Sequence, residues 1–565
     1  MAPPSSATAH KPRKRKRHVR SYSMQLPSKP FPLASFLHPF RTSSMKRLVL
    51  PTVLISAFIF RWAVTYGPYS GEHAPPMFGD FEAQRHWMEI TIHLPISKWY
   101  WYDLQWWGLD YPPLTAYHSW LCGKIGSIVD KSWFALDASR GYESYNQRVF
   151  MRATVAVSDY LIYIPSIVIF TKWYSRTTGT DKYDRYIALA TLLASPGLII
   201  IDYGHFQYNS VMLGFAILAF ASFLADRLLW GSLLFVMALS FKQMGLYYAP
   251  AVFAYLLGLC VSFGNGGRGA GDDEEGSSNG GIKINIGGLL KVDVQTLALL
   301  GITVVSTFGI MVAPFAVFHG EEHSAVEQLG QMVHRVFPFA RGLWEDKVAN
   351  FWCATNIVFK YREKLSTAAL QKISLGLTVL AILPFCLLLF LRPKKRLLPW
   401  GVAGCAWGFF LFSFQVHEKS VLLPMVAMTL VVAGGLDRDL LSWIGMWPLL
   451  RREGLGLQYT VLTALWSWLL SLHELPASIF AKALHLGVYA GAITLHIAEL
   501  TVKGGVVERF PDIWVVGNVI LCFGAFSCMY LWVLYRMAEE AGLLDDFVIQ
   551  QPSEEGEKQR LKKVE

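Results

Sequence analysis

The chain reads as an all-α, polytopic transmembrane protein, and three observations carry that expectation. Of its 565 residues, 53% are hydrophobic and 14% aromatic while only 16% are charged, a balance outside the ordinary range of soluble globular chains. Uncharged apolar runs long enough to cross about 30 Å of hydrocarbon recur along the sequence. The basic residues, which give a formal net charge of +10, gather between those runs as membrane insertion would arrange them, so no nucleic-acid partner is expected.

In chain order, residues 1–45 are basic and polar, with Lys11, Arg13, Lys14, Arg15, Lys16 and Arg17 in one cluster. They are expected to form a disordered cytosolic tail. A membrane domain over 46–540 follows. Its first span lies near 48–66, with no signal-peptide cleavage pattern, so it stays as an anchor. Softer spans lie at 151–172, 186–203, 208–225 and 227–241, followed by the clean runs Gln243 to Gly264 and Val294 to Phe318. Between those two runs, 264–282 (GNGGRGAGDDEEGSSNGGI) is a low-complexity insert read as disordered. Its GxGxxG match at Gly264, Gly266 and Gly269 lacks the strand-to-helix context a nucleotide site needs. Then come Ile373 to Leu391, Leu397 to Val416, softer spans at 420–436, 455–472 and 483–500, and Ile513 to Tyr535, about thirteen spans in all. Residues 541–565 are a charged tail.

The basic clusters at 11–17, 172–185 and 392–396 mark the cytosolic side by the positive-inside rule. That sends residues 67–150, residues 319–370 and the stretch around His417 to the far side, which in the endoplasmic reticulum is the lumen. The ending Lys562-Lys563-Val564-Glu565 looks like a dilysine retrieval signal, read from the cytosol. A cytosolic C-terminus requires an even count, so either that ending is a chance solvated charge pair or a span is missing from the thirteen, with residues 440–450 the first candidate for a fourteenth.

Seven cysteines form no CxxC pair, and five fall inside predicted spans. Cys122 and Cys353 fall in luminal segments, and whether they pair stays open. His319 and His323 lie four apart but do not form HExxH, and Asp437-Arg438-Asp439 falls at the cytosolic end of a span, so no metal and no cofactor is expected. No Asn-x-Ser/Thr sequon occurs.

The first luminal loop is the informative region. It reads Gly79-Asp80-Phe81-Glu82-Ala83-Gln84-Arg85-His86-Trp87-Met88-Glu89-Ile90-Thr91, then Trp99-Tyr100-Trp101-Tyr102-Asp103-Leu104-Gln105-Trp106-Trp107-Gly108-Leu109-Asp110-Tyr111-Pro112-Pro113. The first stretch is expected to form an interfacial helix with Glu82, Arg85, His86 and Glu89 exposed. Aromatic rings at this density suit a bilayer headgroup layer or a sugar face. In isolation Asp80 reads as a helix N-cap and Asp110 as a turn former ahead of prolines. Two carboxylates in one membrane-apposed aromatic loop also admit a catalytic reading. Further polar candidates are Asp202, His205, Gln207, Lys242 and Gln243, each of which also fits a helix cap.

These two stretches, together with Phe414-Gln415-Val416-His417-Glu418-Lys419-Ser420, resemble the dolichyl-phosphate-glucose-dependent alpha-1,3-glucosyltransferases of the N-glycosylation pathway, over most of the membrane region. The resemblance implies a GT-C architecture and inverting transfer of the first glucose to a lipid-linked high-mannose oligosaccharide. The implied partners are dolichyl phosphate glucose, the dolichyl-pyrophosphate-linked oligosaccharide and membrane lipids. Inversion needs one carboxylate base, and a phosphate leaving group needs cations rather than a general acid. Asp80 matches the family's catalytic aspartate. Asp110 is the candidate for positioning the acceptor or bracing the loop. His417 and Lys419, with Arg85 and His86 as alternatives, are the phosphate ligands, and Trp87, Trp106, Trp107 and Tyr111 the rings that contact sugar or lipid. The sibling enzyme that adds a second glucose, a lipid or sugar transporter, and a non-catalytic membrane scaffold are the competing readings.

Overall fold

A computed structural model of the chain describes residues 31–42, 44–263, 283–286, 290–337, 347–434, 454–472, 475 and 479–544. The insert 264–282, Asp437 to Asp439, all of 440–450 and the tail beyond 544 lie outside them. Every one of the thirteen predicted spans falls on a helical segment. Seven of these are long and apolar enough to cross a membrane, among them Tyr145–Thr178, Lys182–Phe206, Thr367–Leu391 and Ile513–Glu540, and Val49–Val64, Asn209–Leu224 and Leu228–Phe241 are shorter apolar helices. Helix is the required form here, because lipid offers no partner for a backbone N–H or C=O. The helix ends at water are capped by side chains: Ser144 accepts from Gln147, Asp293 from Thr296 and Ser366 from Ala369.

Burial separates inner from outer helices. The apolar window of Lys182–Phe206 is 83% buried against 11% for Val294–Val317. The first therefore runs through the bundle and the second faces lipid. Two wide π-helical turns, Asp159–Tyr163 and Ile199–Phe206, interrupt inner helices, a distortion that frequently accompanies functional sites. They are tied together by a fully buried ion pair. Arg61 Nε lies 2.7 Å from Asp159 Oδ2, which also accepts from Tyr203 Oη at 2.8 Å.

Three features depart from expectation. Part of the tail read as disordered is folded: Pro32–Leu37 is a helix with Leu33, Ala34 and Leu37 buried, and Ala34 O accepts from Tyr183 Oη at 2.6 Å. Its apolar residues had no span-length run to mark them. Beside the insert, Val261–Phe263, Lys283–Ile286 and Leu290–Asp293 form a small antiparallel sheet with the last strand in the middle. Finally, the first luminal loop is a packed subdomain, not an interfacial film. Helices Gly79–His93 and Pro113–Val129 lie against each other, and the amphipathic helix Ala325–Val336, opened by a Ser324–Glu327 capping box, closes over the aromatic stretch. Trp99, Tyr100, Leu109, Phe315, Met332 and Val336 share one buried cluster there.

Candidate functional site

The local geometry that presents Asp80 begins with two residues in the left-handed region, of which only the phenylalanine is strained. Phe78 and Gly79 both adopt positive φ, 54° and 61°. The Ser70-Gly71 backbone crosses them so closely that a Cβ on Gly71 would stand 2.0 Å from the Phe78 carbonyl carbon. Glycine at 71 is therefore obligatory for this crossing. The turn delivers Asp80 as the second residue of Gly79–His93, past the cap position, which Phe78 occupies without any side-chain cap. The N-cap reading of Asp80 is thus set aside, since its carboxylate serves other elements.

Those elements converge on a single oxygen. Asp80 Oδ2 accepts from His205 Nε2 at 2.9 Å, from Lys419 Nζ at 2.6 Å and from the Gln207 amide. Among the described residues Oδ1 has no hydrogen-bond partner. Burial alone would raise the Asp80 carboxyl, but Lys419 and His205 hold it well below the usual carboxylate range. The site is open to a ligand, the Asp80 and Lys419 side chains being 25% and 30% exposed.

Behind this shell a buried polar network fixes the donors. Lys242 Nζ donates to Gln207 Oε1 at 3.1 Å and to Asn209 Oδ1 at 2.7 Å, and stands 4.8 Å over the Tyr111 ring. With its carbonyl held by Lys242, the Gln207 amide can only present N–H to Asp80. Asn209 in turn donates to Asp202 Oδ1 at 2.9 Å, whose other oxygen takes the Ser210 N–H at 2.7 Å. The wide turn carrying His205 is pinned as well. Arg152 donates to the carbonyls of Tyr203, Gly204 and Pro68, and Ser70 N–H bonds His205 O at 3.0 Å. Asp202, His205, Gln207 and Lys242 had read equally well as caps. For the first three the only signal of a shared role is the density of polar residues in Asp202-Tyr203-Gly204-His205-Phe206-Gln207-Tyr208-Asn209-Ser210 at an otherwise apolar junction, and Lys242 has none.

Asp110 is half-buried at the bend before Pro112 and Pro113 and lies within electrostatic reach of Lys242. Arg335, on the helix Ala325–Val336, holds the bend: Nη2 donates to Gly108 O at 2.9 Å and Nε to Leu109 O at 3.2 Å. Arg335 carries no motif and was missed. His417 is exposed, two residues from Lys419, at the entry to the turn Glu418–Val421.

Other predicted site residues are placed elsewhere. Arg85 and His86 are corrections, because both are fully buried rather than exposed. Arg85 forms ion pairs of 2.6 Å with Glu82 and Glu89, and His86 sits 3.4 Å from both Glu89 and Asp103. Glu82 and Glu89, expected on the same outer face, are buried with them. The loop folds back over this side of the helix, and its Asp103, Asp137 and Ser139 supply the polar partners that water would have supplied. Trp87 is likewise buried, with Nε1 on Trp107 O at 2.9 Å and its ring 4.8 Å from that of Tyr111. Trp106 and Trp107 stay half-buried, donating to Glu82 Oε1 at 3.4 Å and to Met77 O at 2.6 Å. The rings thus brace the backbone that leads into Asp80, and of the four only Trp106, Trp107 and Tyr111 keep surface for a ligand. Cys122 and Cys353 are both free thiols.

Comparison with known proteins bears on what this arrangement serves. Residues 57–535 match the model of the ALG6, ALG8 glycosyltransferase family. A Schizosaccharomyces pombe protein named probable dolichyl pyrophosphate Man9GlcNAc2 alpha-1,3-glucosyltransferase is 44% identical over 516 residues, 90% of this chain and 95% of its own length. The Saccharomyces cerevisiae protein of that name, without the qualifier, is 41% identical over 90% of this chain and 94% of its own. An Arabidopsis thaliana relative named in the same terms is 36% identical over 86% and 88%.

Proposed function

This chain belongs to the ALG6, ALG8 glycosyltransferase family of GT-C membrane enzymes, and from that premise we propose that it transfers glucose from dolichyl phosphate glucose to dolichyl-pyrophosphate-linked Man9GlcNAc2. The new linkage is alpha-1,3 and forms in the lumen of the endoplasmic reticulum. The acceptor in the relatives' names carries no glucose, which supports addition of the first glucose rather than the second.

The observation that carries the reading is the asymmetry at Asp80, one oxygen taking three donors and the other without a hydrogen-bond partner among the described residues, on a side chain that is 25% exposed. Three donors on Oδ2 fix the plane of the carboxylate, so Oδ1 presents a lone pair in a set direction to an incoming hydroxyl. That hydroxyl attacks the anomeric carbon of a beta-linked glucose from the opposite face, its proton passes to Oδ1, and the bond to the phosphate oxygen breaks. Inversion follows from the single displacement. The departing dolichyl phosphate is already a stable anion, and Lys419 and His417 are its proposed ligands. Asp110, steadied by Arg335, orients the acceptor.

The test is turnover of purified protein in detergent with synthetic dolichyl phosphate glucose and two acceptors, one ending in Man9GlcNAc2 and one already bearing a glucose. Transfer to the first acceptor and not the second is the expected result. The reverse preference assigns the chain to the second-glucose reaction. No transfer to either returns the transporter and scaffold readings.

A further inference from the structure

We propose that Lys419 is a shared ligand: it pairs with Asp80 while the donor site is empty and passes to the phosphate when a prenyl phosphate binds, so that donor binding is what frees the base. The inference rests on the reading of Asp80 as base and of the Lys419 region as the phosphate site, and adds an order of events to it.

Three observations point to the exchange. First, the contact itself occupies the ammonium: Lys419 Nζ sits 2.6 Å from Asp80 Oδ2, so a phosphate arriving there meets a cation already paired with a carboxylate. Second, the three donors on Oδ2 differ in freedom. His205 belongs to a turn pinned by Arg152 and Ser70, and Gln207 is locked by Lys242, all of them buried. Lys419 alone of the three is substantially exposed, on a flexible four-carbon stem in a short turn. It is the donor that can leave without unfolding anything. Third, the remaining charges leave Asp80 well held after it goes. His205 stays on Oδ2, Lys242 acts through Gln207, Asp202 and Asp110 lie beyond Lys242, and Glu82 of the same helix is turned to Arg85. Losing Lys419 therefore keeps the carboxylate in place and restores part of its basicity, at the moment a sugar is in position.

A double-mutant cycle on binding of farnesyl phosphate, a sugar-free prenyl phosphate, reads the exchange directly, using the full-length protein in detergent. Asp80→Asn removes the competing negative charge, so it should tighten binding roughly three- to tenfold, within the range of couplings between contacting groups. Lys419→Met should weaken binding, and Lys419→Arg should retain most of it. In the Lys419→Met background, Asp80→Asn should bring no further gain. An equal gain in that background makes the effect plain charge repulsion by Asp80 and overturns the exchange, as does unchanged or weaker binding in Asp80→Asn alone. Melting temperatures within a few degrees of wild type certify the four proteins. Wild-type glucose transfer is measured beside them: its absence defeats the proposed function, whereas transfer with no coupling defeats only this inference.

Discussion

At the residue scale, the separation of Asp80 from its helix cap decides what a substitution can reveal. Asparagine keeps the shape and can still accept from His205 or Lys419, but it cannot hold a transferred proton. Asp80→Asn should therefore fold with a melting temperature near wild type and lose on the order of a hundredfold to ten-thousandfold in turnover. Near-normal turnover would remove Asp80 from the chemistry. Asp110→Asn is the comparison. Its carboxylate sits at a bend held from outside by Arg335, so its loss should act on the acceptor KM with a smaller fall in kcat. A fall in kcat equal to that of Asp80→Asn, with KM unchanged, would contradict the positioning role. What could be read from the sequence here is instructive. Asp80 and Lys419 both lie in stretches that the sequence singles out, and the fold brings them into contact although they are 339 positions apart. Gln207 and Lys242 could not be ranked, because a polar residue at a helix end looks the same whether it caps or orients. Arg85 was misplaced because amphipathic spacing assumes that one helix face meets water, and here a loop with its own carboxylates covers that face.

At the scale of the element, the helix Gly79–His93 is held by charges that it buries itself. Arg85 bridges Glu82 and Glu89, Asp137 N–H bonds Glu89 Oε1 at 2.7 Å, and Ser139 Oγ donates to Glu89 Oε2 at 3.0 Å. Removing the central cation leaves two buried carboxylates without their shared counter-charge, a change that typically costs about 3–5 kcal/mol. Arg85→Ala should accordingly fail through stability, with a melting temperature many degrees lower. A variant of normal stability with only a raised donor KM would restore the phosphate-ligand reading. The pH dependence follows from Glu89, whose carboxyl burial would raise but which the adjacent His86, 3.4 Å away, and the charge of Arg85 hold down to about 2. An ordinary glutamate titrates near 4.3. The folded value is the lower one, so the stabilisation is complete above about pH 4.3 and is lost as pH falls toward 2. The gap in melting temperature between wild type and Glu89→Gln should be full at neutral pH and close over that window. A gap that persists undiminished to pH 2 would show that the charge of Glu89 is not what stabilises the helix.

At the scale of the whole molecule, side-chain contacts test the alternation of spans independently of hydropathy. Asp80 follows the first predicted span, His205 and Gln207 the third, Lys242 the fifth, Arg335 the seventh and Lys419 the ninth, and all six meet in one region. Every one comes after an odd-numbered crossing, as strict alternation requires. The opposite face is equally consistent: Lys395 pairs with Asp226 at 2.5 Å, Tyr174 Oη donates to Arg396 O, and Thr180 Oγ1 to Gly434 O. The helix Pro32–Leu37 joins this second face through Tyr183. So does the end of Ile513–Glu540, where Arg396 lies 3.0 Å from Glu540 and Arg392 donates to Ala541 O. Both ends of the described chain thus lie on one face, and only an even number of crossings connects them. Thirteen spans are not enough. The discrepancy falls between Gly434, on the second face, and Gly454, whose neighbour Gln458 stands against Gly67 and which itself approaches Pro68, on the first. The fourteenth span predicted at 440–450 falls in that interval, which lies outside the described residues. The prediction is an asymmetry: a glycosylation-acceptor loop inserted after Gly454 should be modified in the lumen and one inserted after Gly434 should not, while a C-terminal tag should be digested by protease added to sealed microsomes. Equal modification of both loops, or a protected tag, would overturn the even count.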